Sequence, residues 1–313
     1  MNDRTRQPTE NGALAQARAR LKAGSPADIT RGMSLLETAL AEGDSKAHIQ
    51  MAVLRAMGVG APQDWRLALD HLLTAAGAGS ASAQRQLQIL AGQDRDDWAS
   101  LRQVVRLEDW ALPADKQVLS ASPRIVAIDR FLSPAACDWI IARAAHNLAP
   151  AMVYGADAQA ERAAGARSNS AFEFGFLDLD LVILMARTRI AATIGVPVGA
   201  LEPPQVLRYE VGERFARHYD YLDPNIAGHA DDIARRGQRM VTFLVYLNGA
   251  FEGGETDFPH LGVRRRGEAG DALYFANLDP SGAPDRRTLH EGRAPTRGRK
   301  WLLSQWIRNQ VHV

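Results

Sequence analysis

The chain has 313 residues, about the length of two domains, and 46% of its residues are hydrophobic while 23% are charged. This is the composition of an ordinary globular protein, and it argues against a chain that is disordered, collagenous or membrane-embedded throughout. The 37 basic and 36 acidic residues give a formal net charge of +1, so no overall field attracts nucleic acid or acidic lipid, and we expect neither as a partner.

Cysteine usage and the N-terminus bear on the compartment. Cys137 is the only cysteine in the sequence, which excludes an intramolecular disulfide and any cysteine-rich zinc site and fits a reducing compartment. A metal in this protein therefore needs histidine and carboxylate ligands. Residues 1–12 are polar and lack the apolar core of a secretory signal, and no later stretch approaches ~18 uninterrupted apolar residues. We expect a cytoplasmic protein with no membrane partner and a disordered segment at 1–12.

Residues 13–95 are rich in alanine, leucine and glycine, and they match themselves at an offset of 36 residues. The matched pairs are Asp28 and Asp64, Leu36 and Leu72, Thr38 and Thr74, Ala39 and Ala75, Gly43 and Gly79, and Ala47 and Ala83. A period of this length is typical of stacked helical hairpins, and it predicts an α-solenoid fragment. The stretch from Ala47 to Leu87 resembles Sel1-like repeats, which are related to the tetratricopeptide class. Two roles stay open for it, structural packing and a groove for a peptide or partner.

The pattern changes after the predicted linker at 96–122, which passes from a helix to a polar stretch that contains proline. Ser133 and Pro134 supply a helix N-cap followed by proline at the first helical position, which predicts a helix as far as about His146. Residues 178–194 predict a second helix, which ends at a glycine. Beyond Leu201, short apolar stretches alternate with glycine-rich turns, and they predict the strands of a β-sandwich or barrel flanked by helices.

One triplet in this region has the spacing of metal ligands. His218 and Asp220 are two residues apart, so in a strand their side chains share one face and can bind one metal. Such a triplet arises easily by chance, and a surface pair is the alternative. His290 supplies a third candidate ligand further along the chain. Two imidazoles and one carboxylate on one face of Fe(II) leave three coordination positions open, as non-haem iron oxygenases require for a co-substrate and O₂.

Lys300 begins an apolar segment that predicts a strand up to Arg308. Strand alternation places Lys300, Leu302, Ser304 and Trp306 on one face, so Lys300 can point inward. A buried lysine needs an anion. A dicarboxylate that chelates iron at one end would place its distal carboxylate there.

Further segments carry family patterns in a fixed order around these residues. They are LEPPQVLRYEVGERFARHYDY (201–221), VTFLVYLN and FEGGETDFP (within 241–259), GDALYFANLDPSGAPDRRTLHEGRAPTRGRKW (270–301) and the closing Trp306. Together they resemble the 2-oxoglutarate- and Fe(II)-dependent dioxygenases of the prolyl 4-hydroxylase type, and the resemblance extends over 123–308. It implies a double-stranded β-helix, or jelly-roll, with flanking helices.

The resemblance also implies roles for individual residues. The implied iron ligands are His218, Asp220 and His290. Lys300 would pair with the C5 carboxylate of 2-oxoglutarate, and the hydroxyls of Tyr209 and Tyr246 would approach the same co-substrate. The alternative for each tyrosine is a core aromatic residue whose hydroxyl is satisfied by the protein.

Several neighbouring positions receive less specific expectations. Trp306 is expected to form a pocket wall, and Thr256 to support the sheet through its hydroxyl. Arg167 lies near the family's substrate groove, but the residues after it depart from the family pattern, so we expect a surface arginine there. The polar segment 223–238 suits a lid over the iron. We expect surface positions for His229 and His260, which fit no ligand spacing.

The predicted architecture is α+β, with an α-solenoid fragment followed by a jelly-roll oxygenase domain. Its parts are a disordered segment at 1–12, Sel1-like repeats at 13–95, a linker at 96–122 and the oxygenase domain at 123–313, with its core at 201–308. The resemblance implies a reaction that consumes O₂ and 2-oxoglutarate, releases succinate and CO₂, and hydroxylates a C–H bond. The resemblance also implies that the reaction depends on ascorbate.

The predicted substrate is a prolyl residue of a protein or peptide, docked by the repeats, because collagen-type prolyl hydroxylases join a tetratricopeptide-like peptide-binding domain to their catalytic domain. One alternative is a hydroxylase of a free amino acid or small metabolite. A second is an adaptor built on the Sel1-like repeats, with a non-catalytic oxygenase fold.

Overall fold

The computed structural model describes residues 12–112, 115–151 and 167–311. Contacts divide the chain into two units, the first formed by Met1–Trp110 with Gly175–Met185 and the second by Ala111–Phe174 with Ala186–Val313. The disorder predicted for 1–12 falls, except for Gly12, outside the described residues. Among the helices of the described ranges, none is both long enough and apolar enough to cross a bilayer.

The first unit is built from helices. They are α1 (Ala13–Ala23), α2 (Pro26–Ala41), α3 (Ser45–Met57), α4 (Trp65–Gly77), α5 (Ala81–Ala91), α6 (Trp98–Val104) and α7 (Leu107–Trp110). Short polar side chains accept hydrogen bonds from the first backbone N–H groups of five of them, which fixes where each helix begins. The capping residues are Ser25, Asp44, Asp64, Ser80 and Asp97.

The repeat pattern places equivalent residues at equivalent positions of this unit. α3 begins at Ser45 and α5 begins at Ala81, the same offset that relates the sequence matches. The matched Leu36 and Leu72 are both fully buried. The hydroxyls of Thr38 and Thr74 each donate to the carbonyl four residues earlier. The predicted helices are thus confirmed, while the Sel1-like identity of the repeats stays a prediction.

Two chain segments depart from the predicted boundaries. The range 96–122, predicted as a linker that begins with a helix, holds the helices α6 and α7 and also a strand that was not predicted, because Gln117–Ala121 pairs at a sheet edge. The segment Gly175–Met185 belongs to the helical unit although it lies within the range assigned to the oxygenase domain. Its Phe176 and Leu177 pack against the core of the first unit, a tertiary contact that local sequence patterns do not report.

The second unit is built from antiparallel strands and, in the described ranges, from helices. They are α8 (Pro134–Ala145), the part of α9 (Leu181–Ile194) that follows Met185, and α10 (His229–Arg236). The strands are β1 (Gln117–Ala121), β2 (Arg124–Ile128), β3 (Ala149–Pro150), β4 (Ser170–Glu173), β5 (Gln205–Tyr209), β6 (Phe215–His218), β7 (Arg239–Tyr246), β8 (Phe251–Gly253), β9 (Thr256–Phe258), β10 (Val263–Arg265), β11 (Ala272–Ala276), β12 (His290–Gly292), β13 (Pro295–Gly298) and β14 (Lys300–Arg308).

These strands form three sheets. The largest has the order β1-β2-β11-β7-β14-β5-β4-β3, a second has the order β10-β9-β12-β6, and β13 pairs with β8. A buried cluster draws side chains from the first two sheets, among them Phe258 of β9 and Phe275 of β11. The edge-to-face contact of these two rings, with centroids 4.9 Å apart, lies in the core next to the candidate site.

Both helices predicted for this region are confirmed. The hydroxyl of Ser133 accepts from the backbone N–H of Ala136 at 3.2 Å, and α8 ends at Ala145. α9 ends at Ile194, and the following Gly195 has a φ of +84°, a conformation that favours glycine.

Candidate active site

The structure brings His218, Asp220 and His290 together. β6 and β12 pair so that His218 lies directly opposite His290, and Asp220 follows the end of β6. One oxygen of Asp220 lies 3.6 Å from Nε2 of His218, and the other lies 3.6 Å from Nε2 of His290. One potential ligand atom from each residue lies within 4.8 Å of the others. This donor set fits a divalent iron bound on one face.

Backbone carbonyls orient both imidazoles. Nδ1 of His218 lies 2.8 Å from the carbonyl of Ala216, and Nδ1 of His290 lies 3.1 Å from the carbonyl of Thr288. Because a carbonyl only accepts, each Nδ1 carries the proton and each Nε2 keeps a lone pair for a metal. Burial lowers the pKa of His290 to about 4, so this ring is neutral at physiological pH.

Aromatic rings pack against the two imidazoles. The ring of Phe215 stacks on His218 with centroids 3.5 Å apart and 14° between the planes. Phe258 and Phe275 approach His290, with centroid distances of 5.4 and 4.7 Å. These contacts restrict the rotation of both rings and give this side of the site an apolar boundary.

Asp220 is buried and accepts a hydrogen bond from a neighbouring strand. The hydroxyl of Thr242, on β7, lies 2.7 Å from Oδ2 of Asp220. Burial opposes ionisation, but interactions with His290, His218 and Thr242 lower the pKa of the Asp220 carboxyl well below its usual range. The carboxylate is therefore ionised, as a metal ligand must be.

Lys300 lies in the same cavity as the triad and is fully buried. Within the described ranges, its Nζ has no hydrogen-bond partner. Its nearest ring contacts are Tyr209 and Tyr246, with ring centroids 5.1 and 5.7 Å from Nζ. Burial lowers its pKa to about 7. A buried amine without a partner fits the carboxylate of an anionic co-substrate, as the sequence predicts.

The cavity wall confirms the face predicted for β14. Lys300, Leu302, Ser304 and Trp306 all line the cavity that contains the triad. Trp306 is only 8% exposed, and its ring is covered by the guanidinium of Arg239 at 3.6 Å from the ring centroid. The prediction that Trp306 forms a pocket wall is therefore confirmed.

The two predicted tyrosines occupy different positions. Tyr209 lies opposite Lys300 in the pairing of β5 with β14, and it lines the cavity. The hydroxyl of Tyr246 lies 3.0 Å from both the Thr256 hydroxyl and the Arg265 carbonyl, so protein atoms satisfy it. Burial raises the pKa of each phenol to about 12. Contact of either hydroxyl with a co-substrate stays a prediction.

One expectation near the site is wrong. Arg167, expected at the surface, lines the cavity, and its guanidinium lies 4.5 Å from the ring centroid of Phe215. A backbone bridge from Arg167 to Phe215 fixes this position, and such long-range pairing is not visible in the local sequence. Of the two histidines expected at the surface, His260 is exposed and His229 is half-buried, with Nδ1 near the carbonyl of Asp223. Neither joins the triad.

The contact of Phe215 with His218 was not predicted, because strict strand alternation puts residues three apart on opposite faces. The pairing with β12 is irregular, since His290 faces His218 whereas Gly292 faces Phe215. Three steps along β6 thus match two along β12, which brings Phe215 to the face of His218. Thr242 was also missed, although a polar residue inside an otherwise apolar strand is a signal that could have identified it.

Comparisons with known proteins agree with this geometry. Residues 204–308 match the 2OG-Fe(II) oxygenase superfamily. Probable prolyl 4-hydroxylase 9 of Arabidopsis thaliana is 33% identical over 215 residues, which cover 62% of this chain and 72% of that protein. Prolyl 4-hydroxylase 1 of the same plant is 31% identical over 209 residues, with coverages of 62% and 72%.

A crystal structure of a viral collagen prolyl hydroxylase from Paramecium bursaria Chlorella virus-1, in complex with 2-oxoglutarate, shares 29% identity with a TM-score of 0.44 and covers 58% of this chain and 94% of that one. The match to the superfamily extends over the triad and Lys300. The chain therefore belongs to the 2OG-Fe(II) oxygenase superfamily and is a 2-oxoglutarate-dependent iron dioxygenase that uses Fe(II), 2-oxoglutarate and O₂.

Proposed function

We propose that this dioxygenase hydroxylates a prolyl residue of a protein or peptide. The observation that carries the proposal is the presence of the triad and the unpartnered Lys300 in one cavity. Relatives at about 30% identity are named prolyl 4-hydroxylases, which supports proline as the hydroxylated residue.

In this proposal, His218, Asp220 and His290 bind Fe(II), and Lys300 pairs with the distal carboxylate of 2-oxoglutarate. When bound, the metal and co-substrate reduce O₂ and insert one oxygen atom into a substrate C–H bond, with succinate and CO₂ as co-products. Leu207 and Leu244 line the cavity and make part of its wall apolar. Tyr209 borders the position proposed for the co-substrate.

Other parts of the proposal rest on the sequence alone. We assign the β-sheet unit to the double-stranded β-helix class and the helical unit to the Sel1-like class. We also keep the cytoplasmic location and the use of ascorbate as proposals. The helical unit would dock the protein substrate. A long substrate should then show a lower KM than a short peptide with the same target residue, at similar kcat, and equal KM values would refute docking.

The site assignment is tested by anaerobic titration of the metal-free full chain with Fe(II) and 2-oxoglutarate. We expect a visible metal-to-ligand charge-transfer band in the wild type. His290→Ala should abolish the band, and Lys300→Ala should require more 2-oxoglutarate to develop it. His260→Ala is the matched control, because His260 is exposed and lies outside the triad. Iron binding without the band would refute the co-substrate site.

The substrate assignment is tested by turnover with proline-containing peptides and with free proline. We expect succinate formation together with a peptide product that gains one oxygen atom at proline. Turnover of free proline or of another small molecule, without peptide hydroxylation, would favour a small-metabolite hydroxylase. Partner binding that survives in a His290→Ala variant, with no turnover by the wild type, would favour the adaptor.

A further inference from the structure

Three buried polar side chains are connected in series behind the triad. Nδ2 of Asn277 lies 3.0 Å from the hydroxyl oxygen of Thr242, which lies 2.7 Å from Oδ2 of Asp220. Asn277 and Thr242 are 0% and 1% exposed, so water does not replace these contacts. The three residues come from separate parts of the second unit, because Thr242 lies in β7, Asn277 follows β11 and Asp220 follows β6.

The direction of these hydrogen bonds follows from the chemistry of the groups. An ionised carboxylate only accepts, so the single proton of Thr242 is donated to Asp220. The Thr242 oxygen can then only accept from Asn277, which assigns the amide nitrogen of Asn277 to that side. Asn277 therefore orients the Thr242 hydroxyl, and Thr242 fixes one oxygen of Asp220.

The series carries a local cost. Oδ1 of Asn277 is buried and has no hydrogen-bond partner among the described residues. A buried unsatisfied carbonyl oxygen is unfavourable, and an apolar side chain of similar size would avoid the penalty. The backbone of Asn277 does not need the side chain, because its N–H donates to the Met240 carbonyl and its carbonyl accepts from Asp285. The hydrogen bond to Thr242 is therefore the interaction that accounts for an amide side chain at this buried position.

We infer that Thr242 and Asn277 are positioning residues that hold Oδ2 of Asp220 and leave Oδ1 to bind iron. Each oxygen lies 3.6 Å from Nε2 of one ligand histidine, so the hydrogen bond that Oδ2 accepts from Thr242 is what distinguishes the two. The inference rests on the proposed role of Asp220 as an iron ligand. Outer partners of this kind orient a ligand and change metal affinity by about 10- to 100-fold.

The test is an anaerobic Fe(II) titration of the full chain, read from metal affinity and from the position of the charge-transfer band with 2-oxoglutarate. Thr242→Val keeps the shape but removes the hydroxyl, and we expect Fe(II) to bind about 10- to 100-fold more weakly, with a shifted band. Thr242→Ser keeps the hydroxyl and should restore both. Asn277→Ala removes the orienting amide and should weaken Fe(II) binding in the same direction.

Thr193→Val is the matched control, because Thr193 is also buried but donates to the carbonyl of Arg189, and neither residue lines the cavity of the triad. Equal Fe(II) affinity and an unshifted band in Thr242→Val would overturn the inference. If that variant does not fold, an Fe(II) affinity of Asn277→Ala equal to that of the wild type would overturn the inference. Fe(II) binding of wild-type affinity in an Asp220→Ala variant would instead refute the proposed iron site itself.

Discussion

Lys300 has opposite effects on the stability of the folded chain and on ligand binding. Its Nζ is fully buried and lacks a partner within the described residues, which destabilises the folded chain, whereas a bound carboxylate would turn the same ammonium into a strong ligand contact. The sequence predicted this position correctly, because strand alternation and burial are local properties of β14. The role of Lys300 in co-substrate binding stays a prediction.

Lys300→Met should separate stability from binding. Methionine has a similar length and no charge, so we expect the 2-oxoglutarate-free protein to gain about 1–3 kcal/mol in its free energy of unfolding. The same variant should lose affinity for 2-oxoglutarate. Urea unfolding and the charge-transfer titration measure the two effects. A variant that is both less stable and unchanged in affinity would contradict this account.

The lowered pKa of Lys300 also predicts a pH dependence. Burial lowers this pKa from 10.5 to about 7, so between these values the unfolded chain binds the proton more tightly than the folded chain does. The penalty from Lys300 is complete below about pH 7 and falls as the pH rises toward 10. The free energy of unfolding of the wild type should therefore rise between pH 7 and pH 10 relative to that of Lys300→Met. Equal slopes in the two proteins would exclude the effect.

At the scale of elements, β14 and α10 are joined by a buried arginine. Arg308, at the end of β14, is 1% exposed, and its guanidinium lies 2.8 Å from Asp232 on α10 and also contacts the buried Glu202. It donates as well to the carbonyl of Gly237, directly after α10. The polar segment 223–238, predicted as a lid, is thus anchored at its C-terminal part.

Arg308→Ala should be strongly destabilising. Among the described residues it leaves Glu202 with Arg239 as its remaining ion-pair partner, and it removes a contact of α10, so we expect a loss of about 3–5 kcal/mol in the free energy of unfolding. Arg236→Ala is a matched control, because Arg236 pairs with the same Asp232 but is 45% exposed, and we expect a loss of at most about 1 kcal/mol. Chemical unfolding measures the stability of both variants. Equal losses of unfolding free energy would contradict the larger contribution that we assign to Arg308.

The elements show which parts of a fold are visible in the sequence. The starts of α8 and of the repeat helices were predictable, since Ser133 and the other caps act within a few residues of themselves. β1 was not, because it is an edge strand with mostly exposed residues and has no clear hydrophobic alternation. The irregular pairing of β6 with β12 was equally hidden, because it depends on a partner strand more than 70 positions away in the chain.

At the scale of the whole molecule, each unit contains a hydrophobic cluster of its own, and the residues of the candidate site belong to the second unit. Leu36 and Leu72 belong to the helical unit and are fully buried, whereas the triad and Lys300 all lie in the second unit. The repeat offset predicted that the two leucines occupy equivalent positions, and both are buried. The assignment of Gly175–Met185 to the helical unit could not be predicted, since it depends on contacts of Phe176 and Leu177 with distant helices.

Leu72→Ala should therefore weaken the helical unit while leaving the iron site intact. Removal of a buried leucine side chain leaves a cavity, and we expect a loss of about 2–5 kcal/mol in the unfolding of that unit. Leu36→Ala should have a similar effect, because it occupies the equivalent position. Leu67→Ala is the control, since Leu67 lies on the same helix as Leu72 but is 36% exposed. Helical circular dichroism on heating measures stability, and the charge-transfer titration at low temperature reports the iron site. A charge-transfer band lost in Leu72→Ala but kept in Leu67→Ala would show that the helical unit contributes to metal or co-substrate binding.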